Sequence, residues 1–181
     1  MTRAKQRSSP AWGGQSAPDA SDVGASLAIQ QLKARYARFA DDKYTPRRQR
    51  KPQAALDRAA WNQASCFTTD AVWDGGRRFG SRLQGREALF RFFRGGPWRF
   101  ALHYYVAPMI EVKGDRARGS WRLWQIAIPE GSEEAVLFAA ITREDYRREG
   151  GTWLHSAVRF EQAHFVRPTA GAALSVVAAL T

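Results

Sequence analysis

Apolar positions along the chain change period once, near Leu102. Before that point Ile29, Leu32, Tyr36 and Phe39 recur at steps of three and four, the spacing of one buried helix face. Ser21 and Asp22 stand where helix caps belong, and the run should end near Asp41 and Asp42. Leu56, Ala60, Trp61 and Ala64 predict the buried side of a second helix. A turn-like Thr68-Thr69-Asp70 then leads into a short strand at Ala71-Val72-Trp73. A third helix is expected from about Arg86 to Arg94, with Leu89, Phe92 and Phe93 inward, stopped by Gly95-Gly96-Pro97. Beyond it the period becomes two: His103 to Val112, a turn at Gly114-Asp115, Arg116 to Ile128, Ala135 to Arg147, and Thr152 to Val166 after Glu149-Gly150-Gly151. Helices followed by a meander of long strands give an α+β order rather than βαβ. A bent sheet closed by helices at one end leaves a concave apolar interior suited to a small ligand.

At 181 residues, 44% hydrophobic and 25% charged, the chain is long enough to bury one real core. Residues 1–22 are rich in Ser, Pro, Gly and charge without a period and read as a disordered tail. The domain proper is expected over 23–168. The closing Ala- and Val-rich segment 169–181 could cover a pocket mouth, join a subunit interface or be disordered.

The net charge of +11 raises nucleic acid and acidic membranes as partners. The arginines are scattered, however, and no zinc-finger spacing or ribonucleoprotein motif accompanies them, so nucleic acid is not expected. No apolar run reaches the ~20 residues of a membrane span. With one cysteine, Cys66, in an apolar stretch, a disulfide framework is excluded and a buried thiol is expected. Cytoplasmic residence is the expectation. The basic stretch from Lys43 to Arg58 holds six cations and two prolines against Asp57. It reads as an exposed loop leading into the second helix, either merely solvated or anion-binding.

Nothing matches a zinc site, nucleophile elbow, phosphate loop or dinucleotide fingerprint. Of three histidines, His103 opens the first long strand, while His155 and His164 lie on the last. A histidine in any one of these places is ordinarily structural. Asp41 is the odder residue, because a carboxylate at a helix C-terminus is opposed by the helix dipole.

The run Ala28-Ile29-Gln30-Gln31-Leu32, followed by Tyr36 and Asp41, resembles the first helix of SnoaL-like enzymes of the nuclear-transport-factor-2-like superfamily. Phe67 to Trp73 is similar to that family's helix-to-strand turn. His103, with Ile110 to Ala117, resembles its central hairpin, and Asp145 to Trp153 its closing hairpin. The likeness spans about residues 25 to 168. It comes nearest to bile-acid 7α-dehydratase, scytalone dehydratase and hexachlorocyclohexane dehydrochlorinase.

That resemblance implies a curved antiparallel sheet with helices closing a cone-shaped barrel, no cofactor and no metal, and a homo-oligomer, trimer or dimer. It implies a lyase that removes a leaving group, dehydratase fashion, from a hydrophobic hydroxylated ring compound such as a steroid or polyketide. Asp41 and His103 match the family's catalytic dyad. Tyr36 matches the dehydratase tyrosine five residues before the aspartate, where the dehydrochlorinase pattern has lysine. Arg159 corresponds to the arginine of the last strand, but stands six residues beyond Trp153 where the family has five. A one-residue shift turns a strand side chain to the other face unless a bulge intervenes. The basic loop after Asp41 is also longer than the family's. A double-bond isomerase using the same base, or a non-catalytic binding or assembly module, are the alternatives.

Overall fold

Three helices pack into the hollow of a curved, unclosed six-stranded sheet. The computed structural model describes residues 20–76 and 82–166. Of the expected tail 1–22, residues 20–22 are helical instead, and residues 1–19 and the segment 169–181 lie outside the described residues. The elements are α1 (Ala20–Asp41), α2 (Gln53–Ser65), β1 (Phe67–Asp74), β2 (Leu83–Gln84), α3 (Arg86–Arg94), β3 (Trp98–Lys113), β4 (Arg116–Pro129), β5 (Val136–Glu149) and β6 (Thr152–Val166). No helix among the described residues is long and apolar enough to cross a membrane.

The strand order is β2-β1-β6-β5-β4-β3. β3 to β6 form an antiparallel meander. The sheet is not wholly antiparallel, because β1 runs parallel to β6. Two-residue loops close two of its hairpins. Gly150 (φ 54°) and Gly151 (φ 81°) sit between paired Glu149 and Thr152, and positive φ at both central positions is the type I′ demand. Gly114 (φ 60°) leads the other, between Lys113 and Arg116.

α1 buries Ile29, Leu32, Lys33, Tyr36 and Ala40, the i, i+3, i+4, i+7 stripe of an amphipathic helix. Its partners in the core include Ala60 and Ala64 of α2, Leu89 and Phe93 of α3, Phe67 and Trp73 of β1, and Tyr146, Trp153 and Val158 of the sheet. Each large side chain buried there contributes about 1.5–3 kcal/mol.

Several local expectations are corrected. α1 begins at Ala20, so Ser21 and Asp22 are inside the helix. Thr68 to Asp70 extends β1 instead of turning. Trp61 lies 43% exposed, stacked edge-on against Phe90. The basic loop is shorter than expected, since α2 starts at Gln53, and it is tied at its base. Lys51 N–H donates to the Lys43 carbonyl at 2.9 Å, Tyr44 bridges Arg50, and Lys51 pairs with Asp42. Cys66 is a buried free thiol as expected, and burial raises it to about 11.

Candidate active site

α1 packs on β3, so its last carboxylate, Asp41, meets His103 of that strand. Asp41 Oδ1 lies 2.7 Å from His103 Nδ1 and also accepts the His103 backbone N–H at 3.2 Å. Two donors thus offset the unfavourable dipole at the helix end. Both side chains are partly buried, Asp41 26% and His103 14% exposed. With Nδ1–H donated to the carboxylate, the neutral ring carries its lone pair on Nε2.

His103 lines a narrow cavity of about 60 Å³ together with Tyr36, Tyr105, Lys43, Gln63 and Gln125. Period two along β3 puts Tyr105 on the same side as His103, their rings parallel at 6.5 Å. Tyr36 is buried, edge-on to Tyr105 at 6.0 Å, with its hydroxyl within hydrogen-bonding reach of Gln63 and Tyr105. Burial pushes both phenols well above their ordinary value, so both are donors at neutral pH.

Arg159 is elsewhere. On β6 Tyr146 pairs with His155 and Asp145 with Ala157, leaving Ser156 as a bulge. The bulge turns Val158 and Phe160 to the buried side, so Arg159 faces out, 65% exposed and 4.0 Å from Asp74. The expectation that it joins Tyr36, Asp41 and His103 is corrected.

A family model described as SnoaL-like domain matches residues 22–159. The chain belongs to the SnoaL-like domain family. Hexachlorocyclohexane dehydrochlorinase LinA type 2 superposes with a TM-score of 0.67 at 18% identity, covering 82% of this chain and 91% of that one. The type 3 enzyme of Novosphingobium barchaimii gives 0.65 at 20% identity, covering 83% and 93%. A candidate scytalone dehydratase from Novosphingobium aromaticivorans gives 0.65 at 14% identity, covering 86% and 95%. At such identities these likenesses concern the fold. No curated protein matches the sequence.

This SnoaL-like domain carries a second, wholly buried polar group behind the cavity wall. Lys33 Nζ is 2.5 Å from Glu144 Oε1. Thr142 donates to Glu144 Oε1 at 2.7 Å and Tyr146 to Oε2 at 2.6 Å, while Trp121 Nε1–H donates to the Tyr146 hydroxyl at 2.8 Å. The Lys33 ammonium also sits 3.7 Å from the centre of the Tyr105 ring, a cation–π contact that holds that ring against the cavity. Burial alone pushes Glu144 up, but Lys33 and then His155 hold its carboxyl well below the ordinary carboxylate range. Burial pulls the Lys33 ammonium down, with Glu144 opposing.

Lys43 is the other buried cation. Its Nζ donates to Gln63 Oε1 at 3.0 Å and to the Phe93 carbonyl at 3.2 Å. Burial, then Arg50, lowers it to about 8, with Asp41 opposing, so it remains mostly charged at neutral pH.

His155 Nδ1 is 3.2 Å from Glu144 Oε2 without the alignment of a hydrogen bond. Burial lowers its pKa below the ordinary 6.5. As the pH falls through about 6.5 the unfolded chain takes up a proton that the folded one refuses, so stability is present above that pH and lost below it. His155→Phe is expected to flatten the fall in denaturation midpoint between about pH 7 and 5.5, as measured by urea titrations at several pH values. An unchanged slope would assign that fall to other groups.

Proposed function

We propose that this SnoaL-like domain is a cofactor-free lyase of the dehydratase type, acting on a hydrophobic hydroxylated ring compound. The observation that supports it best is the Asp41–His103 hydrogen bond beside an aromatic-lined cavity. In this reading His103 Nε2 takes a proton from carbon, and the Asp41 carboxylate fixes the tautomer and stabilises the resulting imidazolium. The imidazolium then returns the proton to the departing hydroxyl, which leaves as water. Tyr36 donates to a substrate oxygen. A cavity of about 60 Å³ is small beside the ~300–1,000 Å³ of most ligand sites, so in this reading the lining side chains part when a ring compound enters. A homo-oligomer belongs to the same reading, supported by Tyr104, Val106, Met109 and Trp124, large apolar side chains left exposed along β3 and β4.

Incubation with hydroxylated ring ketones in heavy water, followed by mass spectrometry, tests the proposal. Time- and enzyme-dependent loss of one water is expected. Exchange of hydrogen with movement of a double bond, and no water lost, would make the protein an isomerase. Saturable binding without either change would make it a binding shell.

A further inference from the structure

Around the cavity beside His103, buried donors lack acceptors. Gln125 is the cross-strand partner of His103, is 3% exposed, and its Nε2 has no hydrogen-bond partner among the described residues. Trp73 enters from β1, equally buried, and its indole N–H is likewise without one. Both line the cavity, as does Lys43. An ammonium has three donors, and the two acceptors named for Lys43, Gln63 and Phe93, leave a third. Buried donors are ordinarily satisfied, and exceptions call for a ligand, an ion or water. These three come from different elements, the loop after α1, β1 and β4, yet line one space with the imidazole.

The geometry points to Lys43, Gln125 and Trp73 as an oxyanion cradle, taking the carbonyl oxygen of a substrate whose hydroxyl leaves from the carbon β to that carbonyl. This rests on the lyase reading above and specifies its substrate class. When His103 Nε2 removes the α-proton, the C–H electron pair forms the carbon–carbon double bond of an enolate and the charge moves to oxygen. Donors fixed before the reaction stabilise charge where it develops. Re-formation of the carbonyl then expels the β-hydroxyl, which takes the imidazolium proton and departs as water. The positive charge expected of Arg159, which faces solvent, is supplied by Lys43, whose ammonium remains mostly charged at neutral pH. Chloride leaving groups on saturated carbon have no carbonyl oxygen for this cradle to hold.

Para-nitrophenol titrated into the full-length protein tests the cradle, since its absorbance separates phenolate, an enolate mimic, from phenol. Wild type is expected to bind the phenolate in preference to the phenol. Lys43→Met and, independently, Gln125→Leu should weaken phenolate binding by about 10- to 100-fold, with thermal unfolding showing each variant folded. His103→Ala should retain the phenolate preference even where turnover is lost, which separates cradle from base. Dehydration of a β-hydroxy ketone with phenolate binding indifferent to both substitutions would overturn the cradle and leave the lyase standing. Phenolate binding without any dehydration would do the reverse. Failure of wild type to prefer phenolate would mean the donors serve ordered water, and the cradle falls.

Discussion

Substituting His103 by alanine is expected to lower turnover by about 10²–10⁴-fold, the usual contribution of a positioned general base. Asp41→Asn should give a loss of similar order, because a neutral amide cannot balance the imidazolium and can hold the wrong tautomer. Neither change should unfold the protein. Both groups are partly exposed at the rim of the fold, and the apolar core leaves them out. The two effects should not add: once the imidazole is gone the carboxylate has no ring to orient, so the double variant should resemble His103→Ala alone. Single-turnover rates on whichever substrate loses water provide the measurement. Near wild-type rates in either single variant would remove the dyad from the mechanism.

The pairing of Asp41 with His103 was legible through the family resemblance. Locally only Asp41 stood out, as an acid at a helix C-terminus, while β3 begins at Trp98 and carries His103 inside the strand. The strands were legible as well, since period-two runs and two-residue glycine turns fix register locally. Tyr36 fell on the apolar stripe of α1, so its burial could be read from spacing, although its hydrogen-bonding neighbours could not.

What escaped the sequence was charge placed inside. Lys33 lies on the same stripe as Ile29, Leu32 and Tyr36, and Glu144 alternates in phase with Phe138, Ala140 and Tyr146. A charge at a core position is normally excluded unless paired. Its partner here is 111 positions away, beyond any local pattern. Both breaks of phase were visible, but nothing local linked them. Lys43 was hidden differently. It stands in a run of cations that reads as solvated, and only the closure of the loop onto Lys51 turns it inward. Arg159 shows the converse: parity counting needs the position of the Ser156 bulge, and that is set by pairing with β5.

Buried pairing makes the largest stability prediction. Glu144→Gln removes the countercharge of an ammonium that water cannot reach, and breaking a buried pair from one side costs about 3–5 kcal/mol. Lys33→Met should cost a comparable amount, because the carboxylate keeps only the hydroxyls of Thr142 and Tyr146 and its contact with His155. In a domain of this size the fall corresponds to roughly 6–20 °C in Tm. Replacing both, Lys33→Met with Glu144→Leu, removes both charges and should recover part of the loss. The pair also shapes acid stability. The folded Glu144 carboxyl sits below its unfolded value, so its contribution is present above about pH 4.5 and fades as the pH falls toward the folded value. That acid-dependent part should disappear in Glu144→Gln. Urea midpoints with unchanged slope would report these differences, and single variants within about 0.5 kcal/mol of wild type would show that Lys33 and Glu144 are not the coupled pair their geometry implies.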